Sequence, residues 1–166
     1  MAAKPNPSPG EHELVIERVL KVPRALAFEV WTSPQHLANW WGPRDEQGRN
    51  FTMPSCEMDF RPGGAYRICI RSPQGEDHWH SGQYREITRP ERLVFTFGWE
   101  RPGDAFAPTL VEVDFLEEGP QATRIRFRQS GLPSAAERDG HRSGWNECLA
   151  RLAGHLAAAR AQEARA

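Results

Sequence analysis

The sequence predicts an α+β fold: a seven-stranded antiparallel sheet wrapped around one long C-terminal helix, with two short helices after the first strand. Three observations carry this. From Phe51 to Arg128, apolar and charged residues alternate in short runs separated by Gly- and Pro-bearing turns, the pattern of half-buried strands joined as hairpins. From Ser134 to about Arg160 the period becomes helical, with Trp145, Leu149, Leu152 and Leu156 on one narrow stripe. Only that helix is big enough to cover the apolar face of such a sheet.

The elements follow in order. His12 to Lys21 is rich in Val, Leu and Ile and reads as the first strand. Pro23 suits a helix entry, and Leu26, Ala27, Val30 and Trp31 give a short helical period. Ser33 can cap a second short helix from Pro34 to Trp41, which Gly42-Pro43 closes. Of the pair Trp40-Trp41, one is expected to pack and the other to face a cavity or solvent. Strands follow at Cys56–Phe60, Tyr66–Arg71, Asp77–Ile87 and Leu93–Trp99, then around Val111–Phe115 and Ile125–Phe127. Gly63-Gly64 reads as a tight reversal needing at least one positive φ, and Arg101 to Asp104 opens a longer loop. Ser134 and Glu137 have the spacing of a capping box for the long helix. Its stripe is aliphatic in the C-terminal half, but towards the N-terminus it passes through Cys148, His141 and Arg138, as suits a helix that also lines a cavity.

The boundaries read from composition are a disordered tail over 1–11, a single domain over 12–160 and a frayed tail over 161–166. The 21 basic and 22 acidic residues nearly cancel, which gives no footprint for nucleic acid or an anionic membrane. No apolar run approaches the ~20 residues of a membrane span. Three widely spaced cysteines suit a reducing cytoplasm better than a disulfide framework. Six Trp and eight Phe make a large aromatic payload, expected in a core or around an apolar ligand.

Five stretches in succession resemble a known superfamily: AFEVWTSPQHLANWWGP (27–43), CEMDFRPGGAYRI (56–68), GQYREITRPERLVFTFGW (82–99), VEVDFLEEGPQATRIRF (111–127) and SGWNECLARLAGHL (143–156). They are similar to the START-like helix-grip fold, also called SRPBCC. Within it they resemble the branch named for the activator of a heat-shock chaperone ATPase (AHSA-type). The resemblance implies a sheet gripping the C-terminal helix with a hydrophobic cavity between them. The superfamily holds lipid and sterol carriers, hormone receptors, polyketide cyclases and co-chaperone domains, so fold alone does not name the function. The co-chaperone carries an additional N-terminal domain without a counterpart in this sequence, and its chaperone activity is not carried over.

Candidate site residues come from parity and helical angle. Tyr66 shares a face with Ile68 and Ile70; His80, Tyr84 and Glu86 share that of Gly82; Trp99 shares that of Phe95 and Phe97. On the helix, His141 lies one turn before Trp145. Trp41, Tyr66, His80, Tyr84, Trp99, His141 and Trp145 are therefore expected to line a cavity, with Gly82 and Gly98 leaving room. His78 and His80 share a face but lack an identified third metal ligand. The row His141, Cys148, His155 spans about 21 Å, too long for one ion. No metal or other cofactor is expected, and the standard catalytic strings (G-x-S-x-G, the phosphate-binding loop, H-E-x-x-H, C-x-x-C) are missing. Three functions remain open. The preferred one is a cytoplasmic carrier or sensor of a small apolar or aromatic molecule, monomeric or weakly dimeric, binding neither nucleic acid nor membrane. The others are a cyclase- or dehydratase-type enzyme using His80, Tyr84, Glu86 or His141 as acid–base groups, and a co-chaperone-like interaction module.

Overall fold

The computed structural model describes residues 10–101 and 108–165, so most of the N-terminal tail and of the loop after Arg101 lie outside the described residues. The elements are β1 (His12–Leu20), α1 (Arg24–Glu29), α2 (Pro34–Leu37), β2 (Thr52–Met58), β3 (Ala65–Arg71), β4 (Asp77–Thr88), β5 (Arg92–Trp99), β6 (Thr109–Gly119), β7 (Ala122–Leu132) and α3 (Ala135–Arg165). All seven strands join one antiparallel sheet in the order β1-β7-β6-β5-β4-β3-β2. Six of them run as a meander. The seventh, β1, reaches the far edge because the segment carrying α1 and α2 crosses over before β2 begins.

Alternation decides the faces. On β7, Ile125, Phe127 and Gln129 point inward and are buried, while Arg124, Arg126 and Arg128 point out. The outward charges pair across strands: Arg92 reaches Glu112 and Asp114 at 2.8 Å each, and Arg128 reaches Glu13 at 2.6 Å. The Arg128–Glu13 pair is exposed and the Arg92 pairs are half-buried at the sheet surface, and such pairs contribute little stability. Stability comes from the other face, where Phe115 and Phe127 of the sheet pack with Phe28 of α1, with Trp31 and Trp40 beside the short helices, and with α3.

Ser134 caps α3, its hydroxyl accepting from the Glu137 N–H at 3.1 Å. Helical bonding continues past Arg160 to Arg165. The stripe is buried as its spacing requires: Trp145 6 %, Leu149 1 %, Leu152 0 % and Leu156 2 % exposed. Trp145 meets Phe127 with ring centroids 4.6 Å apart. At the turn before β3, Gly63 takes φ +83°, as the tight reversal requires.

Three expectations are corrected. Trp40 and Trp41 are both buried, since each indole N–H finds an internal acceptor, the Val30 carbonyl for Trp40 and His80 for Trp41. Glu86 faces solvent rather than sharing the inward face of Tyr84, because the β4–β5 register shifts between Tyr84 and Glu86 and turns every later side chain over. Gly82 does not open a cavity either. A Cβ there would lie 1.9 Å from the Thr96 carbonyl oxygen, so this glycine allows two strands to approach closely.

Candidate functional site

α3 packs on β1 and β7; its N-terminal half reaches β5 through side chains, His141 to Trp99 and Trp145 to Phe97, and leaves a gap beside them that faces β3, β4 and β5. The gap is a cleft of about 520 Å³. Its sheet wall is Ile70, His78, Phe97 and Trp99, and its loop wall is Gly42, Pro43 and Phe51. The helix wall is made by Ala136, Gly140, Gly144 and Cys148, with His141 and Trp145 beside them. Those first four recur every fourth residue, so one face of the helix carries almost no side chain. A Cβ at Gly140 or Gly144 would meet nothing within 4 Å. Each glycine costs the helix about 1 kcal/mol relative to alanine; the space they leave is the cleft.

The loop wall is fastened to the helix. Gly42 takes φ +111° and donates its N–H to Cys148 Sγ at 3.3 Å. Arg151 is buried and donates to the carbonyls of Gly42 at 2.8 Å and Phe51 at 3.3 Å. Burial lowers the Arg151 pKa and pushes the Cys148 thiol up to about 12, so Cys148 stands at the cleft as a neutral thiol.

Behind the aromatic wall runs a chain of side-chain hydrogen bonds with one direction. Thr109 Oγ1 donates to the Phe97 carbonyl at 2.8 Å, so it accepts from Gln129 Nε2, also at 2.8 Å. That turns Gln129 Oε1 towards α3, where it accepts from Trp145 Nε1 at 2.8 Å and lies 3.1 Å from His141 Nδ1. Trp99 Nε1 is 3.3 Å from His141 Nε2, and an indole N–H only donates. His141 is therefore neutral, with its proton on Nδ1 and a lone pair on Nε2. Burial lowers its pKa, opposed by the Glu137 carboxylate at 3.7 Å and assisted by Arg101.

Of the seven candidate residues, Trp99, His141 and Trp145 line this cleft. Trp41 and His80 form the layer behind it. His80 is 1 % exposed and held between the rings of Trp41 and Phe97, at 5.8 and 4.7 Å. Its Nε2 accepts the Trp41 N–H at 3.0 Å, which puts its proton on Nδ1, an atom left without a partner. Burial holds its pKa down at about 3. Tyr66 and Tyr84 belong to the filled core, around a void of only about 10 Å³. The Tyr66 hydroxyl donates to the Thr96 carbonyl at 2.6 Å, Tyr84 packs edge-on against Phe60 at 4.9 Å, and burial raises both phenols above their ordinary range. The four acid–base candidates are thus dispersed: His141 on the cleft, His80 and Tyr84 buried, Glu86 outside. Among the described residues, no three His, Cys, Asp or Glu side chains converge as a metal site would need.

Gln129 and Thr109 are site residues that strand parity alone does not single out. Each is a polar residue in an inward position, Gln129 after Ile125 and Phe127, Thr109 before Val111 and Val113. A polar residue at an apolar parity position was the available signal. Gly140 and Gly144 were also visible as two glycines four apart inside a helix.

The model of the family described as activator of Hsp90 ATPase homolog 1-like protein matches residues 21–157. No curated protein matches the chain. Among solved structures, it is similar to the AHSA1 protein from Silicibacter pomeroyi, with TM-score 0.77 and 25 % identity over 88 % of this chain and 98 % of that one. A protein from Rhizobium leguminosarum aligns with TM-score 0.72 and 26 % identity over 87 % and 93 %. One from Nitrosomonas europaea, at 23 % identity and TM-score 0.73 over 90 % and 96 %, shows the shared fold. The seven-stranded sheet, the long C-terminal helix and a family match over most of the chain agree, and the protein belongs to the AHSA1 family of the helix-grip, SRPBCC fold.

Proposed function

We propose that the protein binds a small apolar or aromatic molecule in the cleft under the N-terminal half of α3, as a carrier or sensor in the cytoplasm. The observation that carries this reading is the bare helix face at Gly140 and Gly144, which looks across open space at Phe97 and Trp99. Gly140 is exposed and Gly144 half-buried, so the cleft opens to solvent along this helix face, and its buried aromatic floor at Phe97 and Trp145 is what a ligand would cover. Apolar walls with a few ordered polar groups suit a ligand held by desolvation and oriented by one or two hydrogen bonds. The cysteines Cys56, Cys69 and Cys148 are unpaired, which fits a reducing compartment.

The family's name suggests a protein-interaction module as the alternative. Among the described residues the exposed large hydrophobics are Val15, Val19 and Leu116. Arg128 pairs with Val15 in the sheet register, and Arg124 lies between Val19 and Leu116. Arginines thus break up these side chains, and the ligand reading is the better supported. It is tested by titrating N-phenyl-1-naphthylamine, whose fluorescence rises in apolar surroundings. The wild type should saturate at one probe per chain, and Gly144→Phe, which fills the cleft, should abolish the signal while the protein stays folded. Saturable binding untouched by Gly144→Phe would place any ligand elsewhere.

A further inference from the structure

The directed chain Phe97 carbonyl, Thr109, Gln129, His141 ends at the cleft on one unprotonated nitrogen, His141 Nε2. Its hydrogen-bond partner there is the Trp99 indole N–H at 3.3 Å, just beyond the ordinary N–H range of about 2.7–3.2 Å. A long bond of this kind is readily exchanged. Both residues line the cleft, so an acceptor and a donor stand side by side where a ligand would lie.

Ligand groups differ in how they meet that pair. A hydroxyl meets both atoms: its oxygen accepts from Trp99 and its hydrogen goes to His141 Nε2. An ether, carbonyl or halide can at most accept from Trp99 and leaves Nε2 unpaired. An ammonium donates to Nε2 but cannot accept from Trp99. A carboxylate leaves Nε2 unpaired, and the charges beside it offset each other, Glu137 Oε2 at 3.7 Å from the same nitrogen and the Arg101 guanidinium 5.2 Å from the Trp99 ring. The body of the ligand meets aromatic rings, with Phe97 centred 5.2 Å from Trp99 and 5.6 Å from Trp145. Edge and face contacts from such rings suit another aromatic ring. We infer that the cleft selects aromatic molecules bearing a neutral hydroxyl, of the phenol or naphthol type, with Trp99 Nε1 and His141 Nε2 as the discriminating pair. The inference rests on the ligand-binding reading of the cleft and adds the ligand's class.

The test compares 2-naphthol with 2-fluoronaphthalene, which has nearly the same shape and no hydroxyl proton. Both are titrated by tryptophan quenching into the wild type, His141→Phe and Trp99→Phe, with melting curves to confirm folding. Gln129 Oε1 keeps the Trp145 N–H in His141→Phe, so that substitution leaves no orphaned amide oxygen. The wild type should prefer 2-naphthol by about tenfold, one net hydrogen bond. Either variant should bring the ratio close to one, and if one variant fails to fold the other decides. Saturable binding of both compounds with equal affinity would overturn hydroxyl selection and leave the cleft reading standing. Binding of neither would overturn both, and a preference that survives in both variants would move the hydroxyl away from this pair.

Discussion

His80, locked between Trp41 and Phe97, has a measurable consequence in acid. An imidazole ordinarily titrates near 6.5, and burial holds this one at about 3. Between those values the unfolded chain binds a proton that the folded chain refuses. The stability this residue supports is therefore fully present above about pH 6.5, and falls by about 1.4 kcal/mol per unit as the pH drops towards 3. Urea titrations from about pH 7 to pH 4 should show this slope, and His80→Phe should flatten it; an unchanged slope would mean that His80 is not excluding its proton. Gly140 gives a second residue-level expectation of opposite sign. Its Cβ position is open, so Gly140→Ala should raise stability by about 0.5–1 kcal/mol in thermal or urea melts. A loss of stability would mean that the cleft is closed at that point. Gln129 explains why the polar site was hard to read. Its neighbours Arg126 and Arg128 are plainly outward and Phe127 plainly inward, but nothing local says which atoms an inward amide will meet. Its partners, Thr109 and Trp145, come from another strand and from the helix.

Among the elements, β4 and α3 show what a period can and cannot tell. The alternation of β4 placed His80 and Tyr84 inward correctly, then failed at Glu86, because a register shift is a property of two paired strands. Gly82 marks the same crowded pairing. Gly82→Ala must push the Thr96 backbone away and should cost about 1–3 kcal/mol in urea midpoint measurements; a neutral substitution would contradict the close approach. On α3 the aliphatic stripe was legible from spacing, and it was the polar, small-residue half that held the cleft. Glycine in a helix reads at first as weakness rather than as space. Trp145 joins the two halves, packing on Phe127 while its indole N–H holds Gln129. Trp145→Ala should cost about 3–5 kcal/mol. A melting temperature within a degree or two of wild type would deny it a core role.

At the scale of the whole molecule, the order of elements was enough to give the sheet and the helix that covers it. How far the helix stands from each strand was not readable. That distance depends on sheet curvature and on the loop that Arg151 and Cys148 fasten to α3. Where α3 meets β1 and β7 the interior is closed, and where it leaves β3 to β5 the cleft opens. This is why Trp99, His141 and Trp145 share a space that Tyr66 and Tyr84, on the same inner face, do not reach. The most direct measurement is chemical-shift mapping with 15N-labelled protein and N-phenyl-1-naphthylamine. If the cleft is the binding site, the largest shifts will fall on the amides of Gly140 and Gly144 and on the indole N–H signal of Trp145. Shifts centred instead on Gln83 and Gly98, which line a separate surface depression, or spread without a focus, would contradict it.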